Sequence, residues 1–170
     1  MSKQFVRTFI SLCLIGVAWS LSLAQDNPVQ VTLEGYLVNV ITKEDGTQEE
    51  EFVAATEARP GQVVEYRVLV TNVSAETLPA SNAMITGPIP ATTAYIADTA
   101  TATSAEAMLE FSADGGATFA EKPMIEKENA EGEMELVEAL PEEYTAARWA
   151  ILVPLEPQQT LTFTYRVTVK

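Results

Sequence analysis

Apolar and polar positions alternate with a period of two along much of this chain. Val64, Tyr66, Val68 and Val70 alternate with Glu65, Arg67, Leu69 and Thr71. Near the C-terminus Leu161, Phe163, Tyr165, Val167 and Val169 alternate with Thr162, Thr164, Arg166 and Thr168. A period of two sends successive side chains to opposite faces, so each run predicts a strand with one buried and one wet face. The two apolar sets are expected to face one common core. Val29, Val31 and Leu33 share one parity, whereas Tyr36, Val38 and Val40 share the other. A bulge near Gly35 would reconcile the halves. Asp45-Gly46, flanked by residues 38–42 and 47–55, predicts a β-hairpin.

Residues 83–86, 108–112 and 148–153 read as shorter strands. Turn chemistry separates these runs at Arg59-Pro60-Gly61, Gly87-Pro88-Ile89-Pro90, Asp114-Gly115-Gly116 and Pro154-Leu155-Glu156-Pro157. Short strands so punctuated predict an all-β protein, an antiparallel β-sandwich over residues 25–170. No internal repeat or linker divides it. Residues 148–153 and 160–170 are expected to close the sandwich as a hairpin, since Pro154 and Pro157 break the ladder between them. Residues 121–147 read as an irregular loop over one end or edge, in which 133–140 could form a helical turn or two.

The N-terminus has a different character. Lys3 and Arg7 precede an apolar run from Phe9 to Leu23 that ends Ser22-Leu23-Ala24. That combination predicts a secretory signal peptide over residues 1–24, cleaved after Ala24. The run falls short of the ~20 residues that a spanning helix needs. A lipoprotein signal at Cys13 fits less well, because Leu12 is bulky and Cys13 lies inside the apolar run. The mature chain is thus expected to be exported, to the periplasm, the cell surface or the medium, with no membrane span.

Composition then narrows the chemistry. The 170 residues include 10 Lys+Arg, 24 Asp+Glu, one Cys and no His. Without an imidazole, Ser-His-Asp and Cys-His catalysis are excluded, as are His- or Cys-ligated zinc, blue copper and iron–sulfur sites. Removing residues 1–24 leaves 8 basic against 24 acidic residues, a net charge of −16. Such a surface argues against nucleic acid and against anionic lipid. A secreted chain without disulfides must rest on its hydrophobic core, which a 47% hydrophobic composition can supply.

Several motifs in order resemble one family. Arg59-Pro60-Gly61-Gln62-Val63-Val64-Glu65-Tyr66-Arg67-Val68-Leu69-Val70-Thr71-Asn72 resembles the opening of the bacterial conserved repeat domain, DUF11, a β-sandwich module of cell-surface proteins. Gly87-Pro88-Ile89-Pro90-Ala91-Thr92-Thr93-Ala94-Tyr95 is similar to its second signature, with Gly87 where Asp is common. Phe111-Ser112-Ala113-Asp114-Gly115-Gly116-Ala117-Thr118-Phe119 is similar to its Ser-x-Asp-Gly-Gly-x-Thr-Phe turn. Arg148-Trp149 and the strand 160–170 complete the likeness, which spans about residues 51–170. It implies an Ig-like fold and an extracytoplasmic location, and it implies no reaction, cofactor or ligand. Each motif residue also has a structural role: Pro60-Gly61 turns the chain, Asn72 bonds backbone at a strand end, and Asp114-Gly115-Gly116 allows a tight turn.

Carboxylates are the abundant reactive groups. Glu126, Glu128, Glu131, Glu133, Glu135, Glu138, Glu142 and Glu143 crowd one region against Lys127. A calcium-binding module built on residues 126–143 is the alternative function, although no Asp-rich cation loop is present; a solvated acidic loop is the simpler expectation. No spacing marks a glycosidase carboxylate pair. Met84, Met108, Met124 and Met134 are scattered, which suits core packing or chance exposure better than copper(I). Trp149 is expected in the core, and Asn72-Val73-Ser74 matches a glycosylation acceptor incidentally. No catalytic, cofactor-binding or metal-binding residue is assigned. The function expected is non-catalytic, structural or adhesive, with another cell-envelope or surface protein as partner.

Overall fold

A computed structural model describes residues 27–80, 83–102 and 106–170. The apolar N-terminal run and Cys13 lie outside the described residues. The elements are β1 (Val29–Thr42), β2 (Gln48–Ala54), β3 (Val63–Asn72), β4 (Met84–Pro88), β5 (Thr93–Tyr95), β6 (Thr101–Ala102), β7 (Ala107–Ser112), β8 (Met124–Glu128), β9 (Met134–Glu138), a 3-10 turn at Pro141–Glu143, β10 (Ala146–Ile151) and β11 (Thr160–Val169). A six-stranded sheet runs β2-β1-β3-β11-β5, with β6 also on β11, and faces a three-stranded sheet β4-β10-β7. β8 and β9 pair as a separate hairpin. All pairings are antiparallel, and the two larger sheets form a β-sandwich.

The core is where alternation placed it. Val64, Val68 and Val70 of β3 and Leu161, Phe163, Tyr165 and Val167 of β11 are buried, with Val68 at 2% exposure. Cross-strand register sets Val64 against Val167, Tyr66 against Tyr165, Val68 against Phe163 and Val70 against Leu161. Tyr66 stacks on Tyr165 at 5.3 Å between centroids. Trp149 projects from the centre of the smaller sheet, with Phe163 at 5.4 Å and Tyr165 at 5.9 Å. Truncating Val68 to Ala should therefore cost about 1–3 kcal/mol through lost burial and a cavity. Chemical denaturation should show that loss against a near-neutral Gln30→Ala on the exposed part of β1. Arg67 is no bare surface residue. Its guanidinium lies 4.5 Å from the Tyr36 ring centroid and 4.7 Å from that of Phe52, and it bonds Glu65.

Four expectations need correction. First, β1 has no bulge at Gly35: its register with β3 is unbroken from Val29↔Asn72 to Leu37↔Val64. The change of apolar parity reflects two neighbours. Val29, Val31 and Leu33 share the face of their β3 partners Asn72, Val70 and Val68, although Val31 and Leu33 stay exposed at 55% and 47%, whereas Tyr36 meets Arg67 on the outer side, where Val38 pairs with Phe52 of β2. The Asp45-Gly46 hairpin itself forms, with Gly46 at φ +82° and the Thr47 N–H bonded to Asp45 Oδ1 at 2.9 Å.

Second, residues 148–153 and 160–170 make no hairpin. β10 already has β4 and β7 on its two edges, so the chain crosses through Pro154 and Pro157 to the opposite sheet, and β11 inserts between β3 and β5. Third, residues 133–140 form no helical turn; Met134–Glu138 is a strand. Fourth, residues 121–147 are therefore mostly ordered β structure rather than an irregular loop. The hairpin packs its half-buried Ile125 against the core, and Val137, the cross-strand partner of Ile125, is half-buried on the same face. Among the described residues no helix is long and apolar enough to cross a membrane.

Candidate functional site

The acidic segment does not gather its carboxylates. Strand alternation puts Glu126, Glu128 and Glu138 on one face of the hairpin, opposite Leu136, Met134 and Met124 respectively. Glu135 shares the other face with Lys127. Lys127 Nζ reaches Glu143 Oε1 at 2.7 Å, which holds the Glu143 carboxyl below its ordinary pKa, helped by the Leu140 N–H. Lys122 Nζ lies 3.2 Å from Glu138. Among the described residues no group of three or more His, Cys, Asp or Glu stands where it could hold a metal ion. Met84, Met108, Met124 and Met134 are all more than half exposed, so none serves the core.

Two of the motif residues are structural fasteners. Asn72 is fully buried; its Nδ2 donates to the carbonyls of Glu76 and Leu155, and its Oδ1 accepts from the Ser74 N–H and hydroxyl. The nitrogen that would carry a glycan is thus turned inwards. Asp114 closes the Gly-Gly turn. Its carboxylate accepts from the Thr118 hydroxyl at 2.6 Å, the Thr118 and Ala117 N–H groups, and Ser112 Oγ. These bonds, Thr118's foremost, hold its pKa well below the carboxylate range. A depressed folded pKa stabilises the fold above the unfolded pKa, and the benefit is lost as pH falls through the folded value. The melting temperature should therefore decline below about pH 4. Asp114→Asn should lower it at neutral pH and flatten that acid slope, as a pH series of thermal melts would record.

The concave site lies elsewhere, where β7 meets the β8–β9 hairpin. A groove of about 680 Å³ is lined by Tyr95, Leu109, Phe111, Pro141 and Tyr144, with Met108 at its side. Tyr95, Phe111 and Tyr144 form one aromatic cluster, with centroids 5.0 Å (Tyr95–Phe111), 4.6 Å (Phe111–Tyr144) and 5.8 Å (Tyr95–Tyr144) apart. Burial raises the pKa of both Tyr95 and Tyr144, so both phenols stay neutral. Tyr95 Oη accepts the Ala100 N–H at 3.2 Å, which anchors the segment after β5 as one wall.

Carboxylates rim this groove. Glu110 is held by Arg148 at 2.6 Å, itself stacked on Phe119, and Glu138 is held by Lys122. Asp98 and Glu121 also line it, and among the described residues neither has an ion-pair partner. Asp98 sits at the lip with φ +61°, a left-handed conformation that Asp tolerates better than most residues.

The groove also contains an open sheet edge. β7 is the outermost strand beside β10. On its free side Phe111 exchanges both backbone hydrogen bonds with Ala120, at 2.7 and 3.0 Å. In an antiparallel ladder the outward-facing residues alternate, so the N–H and C=O groups of Leu109 and Ala107 point the same way as those of Phe111. Among the described residues nothing continues the pairing. After Ala120 the chain departs through Pro123, whose carbonyl is taken by Ala139.

Comparison with known family models, curated proteins and solved structures finds no match to this chain. The site therefore rests on its geometry. It offers backbone hydrogen-bond rungs, an apolar and aromatic floor, and free negative charge. Sequence reasoning named neither Asp98, Leu109 nor Glu121 as site residues. A signal for the open edge was present in Pro123, which cannot donate to a ladder and so limits the segment beside β7.

Proposed function

We propose that this chain is an exported, non-catalytic β-sandwich module of the bacterial cell envelope or surface, Ig-like in type and akin to DUF11 modules. Its role in this reading is structural or adhesive, and it binds another envelope or surface protein along an open strand edge. The observation that carries the reading is the β7 edge at Ala107 and Leu109, uncapped among the described residues, beside a groove with an aromatic floor. Proteins usually cover or blunt such edges, because an unpaired row of N–H and C=O groups recruits another strand. β2, the outer strand of the larger sheet, is blunted in that way by Glu49, Glu50 and Glu51. The basic start and short apolar run of residues 1–24 support export.

The test is position-dependent crosslinking in the native envelope. A photo-crosslinking residue at Met108 should trap a defined envelope protein, whereas the same residue at Gln30 should not. Equal products from both positions, or none from Met108, would contradict the binding surface. N-terminal sequencing of the same preparation should begin at Gln25; finding residue 1 or a lipid-modified Cys13 would remove the export reading.

A further inference from the structure

We propose that the occupant of the β7 groove is an extended protein segment bearing Lys or Arg at alternate positions, added as a strand against Ala107 and Leu109. This rests on the edge-binding reading above and adds the chemistry of the partner. Backbone rungs select an extended polypeptide over a small cation, because Leu109 and Ala107 present paired N–H and C=O groups and not a closed pocket. The antiparallel bridge between Phe111 and Ala120 already supplies the first rung of that pairing. An incoming strand continues the line that Ala120 begins and Pro123 abandons.

Charge then chooses among extended segments. The groove carries Asp98, Glu110, Glu121 and Glu138 against Lys122. Arg148 satisfies Glu110 and Lys122 satisfies Glu138, so Asp98 and Glu121 are the carboxylates left for a ligand. Both are exposed. An acidic segment would meet uncompensated like charge, and the strongly negative chain as a whole would repel it. Side chains of a strand lie on one face at every second position, so basic residues spaced by two can face the rim while the intervening apolar residues meet Leu109 and the aromatic floor.

The experiment uses short synthetic peptides with the purified protein: one alternating Lys and Val, one alternating Glu and Val, and one alternating Ser and Val. Fluorescence anisotropy measures affinity, and residue-resolved amide exchange reports the edge. The Lys-Val peptide should bind, slow exchange at Leu109 and Ala107, and weaken as salt is raised. It should exceed the Ser-Val peptide by about tenfold or more, and the Glu-Val peptide should not bind. Asp98→Asn combined with Glu121→Gln should remove most of the Lys-Val advantage. Ala107→Pro deletes one edge N–H at the first residue of a strand, where proline is tolerated, and should weaken all binding without lowering the melting temperature. If the Ser-Val peptide protects Leu109 as well as the Lys-Val peptide does, the charge preference is overturned and the open-edge reading survives. If the Lys-Val peptide binds without protecting Leu109 or Ala107, its attachment is surface adsorption and this proposal fails. If no peptide protects the edge, both readings fail. Exchange on the unmodified protein decides these outcomes even if Ala107→Pro unfolds.

Discussion

A chain stopped after Gln159 will not fold. It loses β11, which lies inside the larger sheet, paired with β3 along Thr160–Thr168 on one side and with β5 and β6 on the other. Leu161, Phe163, Tyr165 and Val167 are each at most 4% exposed. Burying such side chains is worth roughly 1.5–3 kcal/mol each, so about 6–12 kcal/mol goes with them. That is comparable to the whole stability of a domain, about 5–15 kcal/mol. The truncation also leaves β3 with a raw edge and β5 without a neighbour, which favours aggregation. The truncated protein should be insoluble or show no cooperative melt. A soluble product melting near the full-length temperature would demote β11 to an appendage.

The second large effect comes from a single methyl group. Replacing Gly87 by Ala would place a Cβ 2.5 Å from Tyr165 Cε1, 3.0 Å from Cζ and 3.1 Å from the hydroxyl oxygen. The Tyr165 ring cannot retreat. It is fully buried between Tyr66 and Trp149, and its hydroxyl donates to the Pro88 carbonyl at 2.6 Å. Overpacking typically costs about 1–3 kcal/mol, and loss of that buried hydrogen bond adds about 1 kcal/mol. For a domain of this size the melting temperature should fall by roughly 5–15 °C. Thr86→Ala, on the exposed side of β4, should change it little. If Gly87→Ala melts like the unmodified protein, the packing of Tyr165 against β4 is wrong. The same contact explains why position 87 is Gly: no side chain fits there.

Legibility in the sequence followed burial. β3 and β11 could be read because every second residue is apolar and all of these but Tyr66 and Val169 are deeply buried, and the three strands of the smaller sheet were placed within a few residues. What could not be read was which strands pair, since that is decided by long-range contacts. Residues 148–153 and 160–170 looked like a hairpin from the short connection between them. Only the occupancy of both β10 edges sends β11 to the other sheet. The β8–β9 hairpin was missed for a local reason. Ile125 is the hairpin's apolar residue packed against the core, with Val137 half-buried beside it, and the Glu, Met and Leu residues around them favour helix over strand by intrinsic propensity. The groove was hidden more deeply. Tyr95, Phe111 and Tyr144 come from three separate elements, and nothing in the chain distinguishes Asp98 and Glu121 among 24 acidic residues. Their distinction is positional: other carboxylates of the same groove acquire Arg148 or Lys122, and these do not.

The open β7 edge is the centre of this account, and amide hydrogen exchange along that strand in the free protein tests it most directly. The expected result is alternation. Met108 and Glu110, whose N–H groups face β10, should exchange slowly, whereas Leu109 and Ala107, whose N–H groups face the groove, should exchange fast despite lying in the same strand. Slow exchange at Leu109 equal to that of Met108 would mean that the edge is already covered, and would contradict the binding surface argued from it.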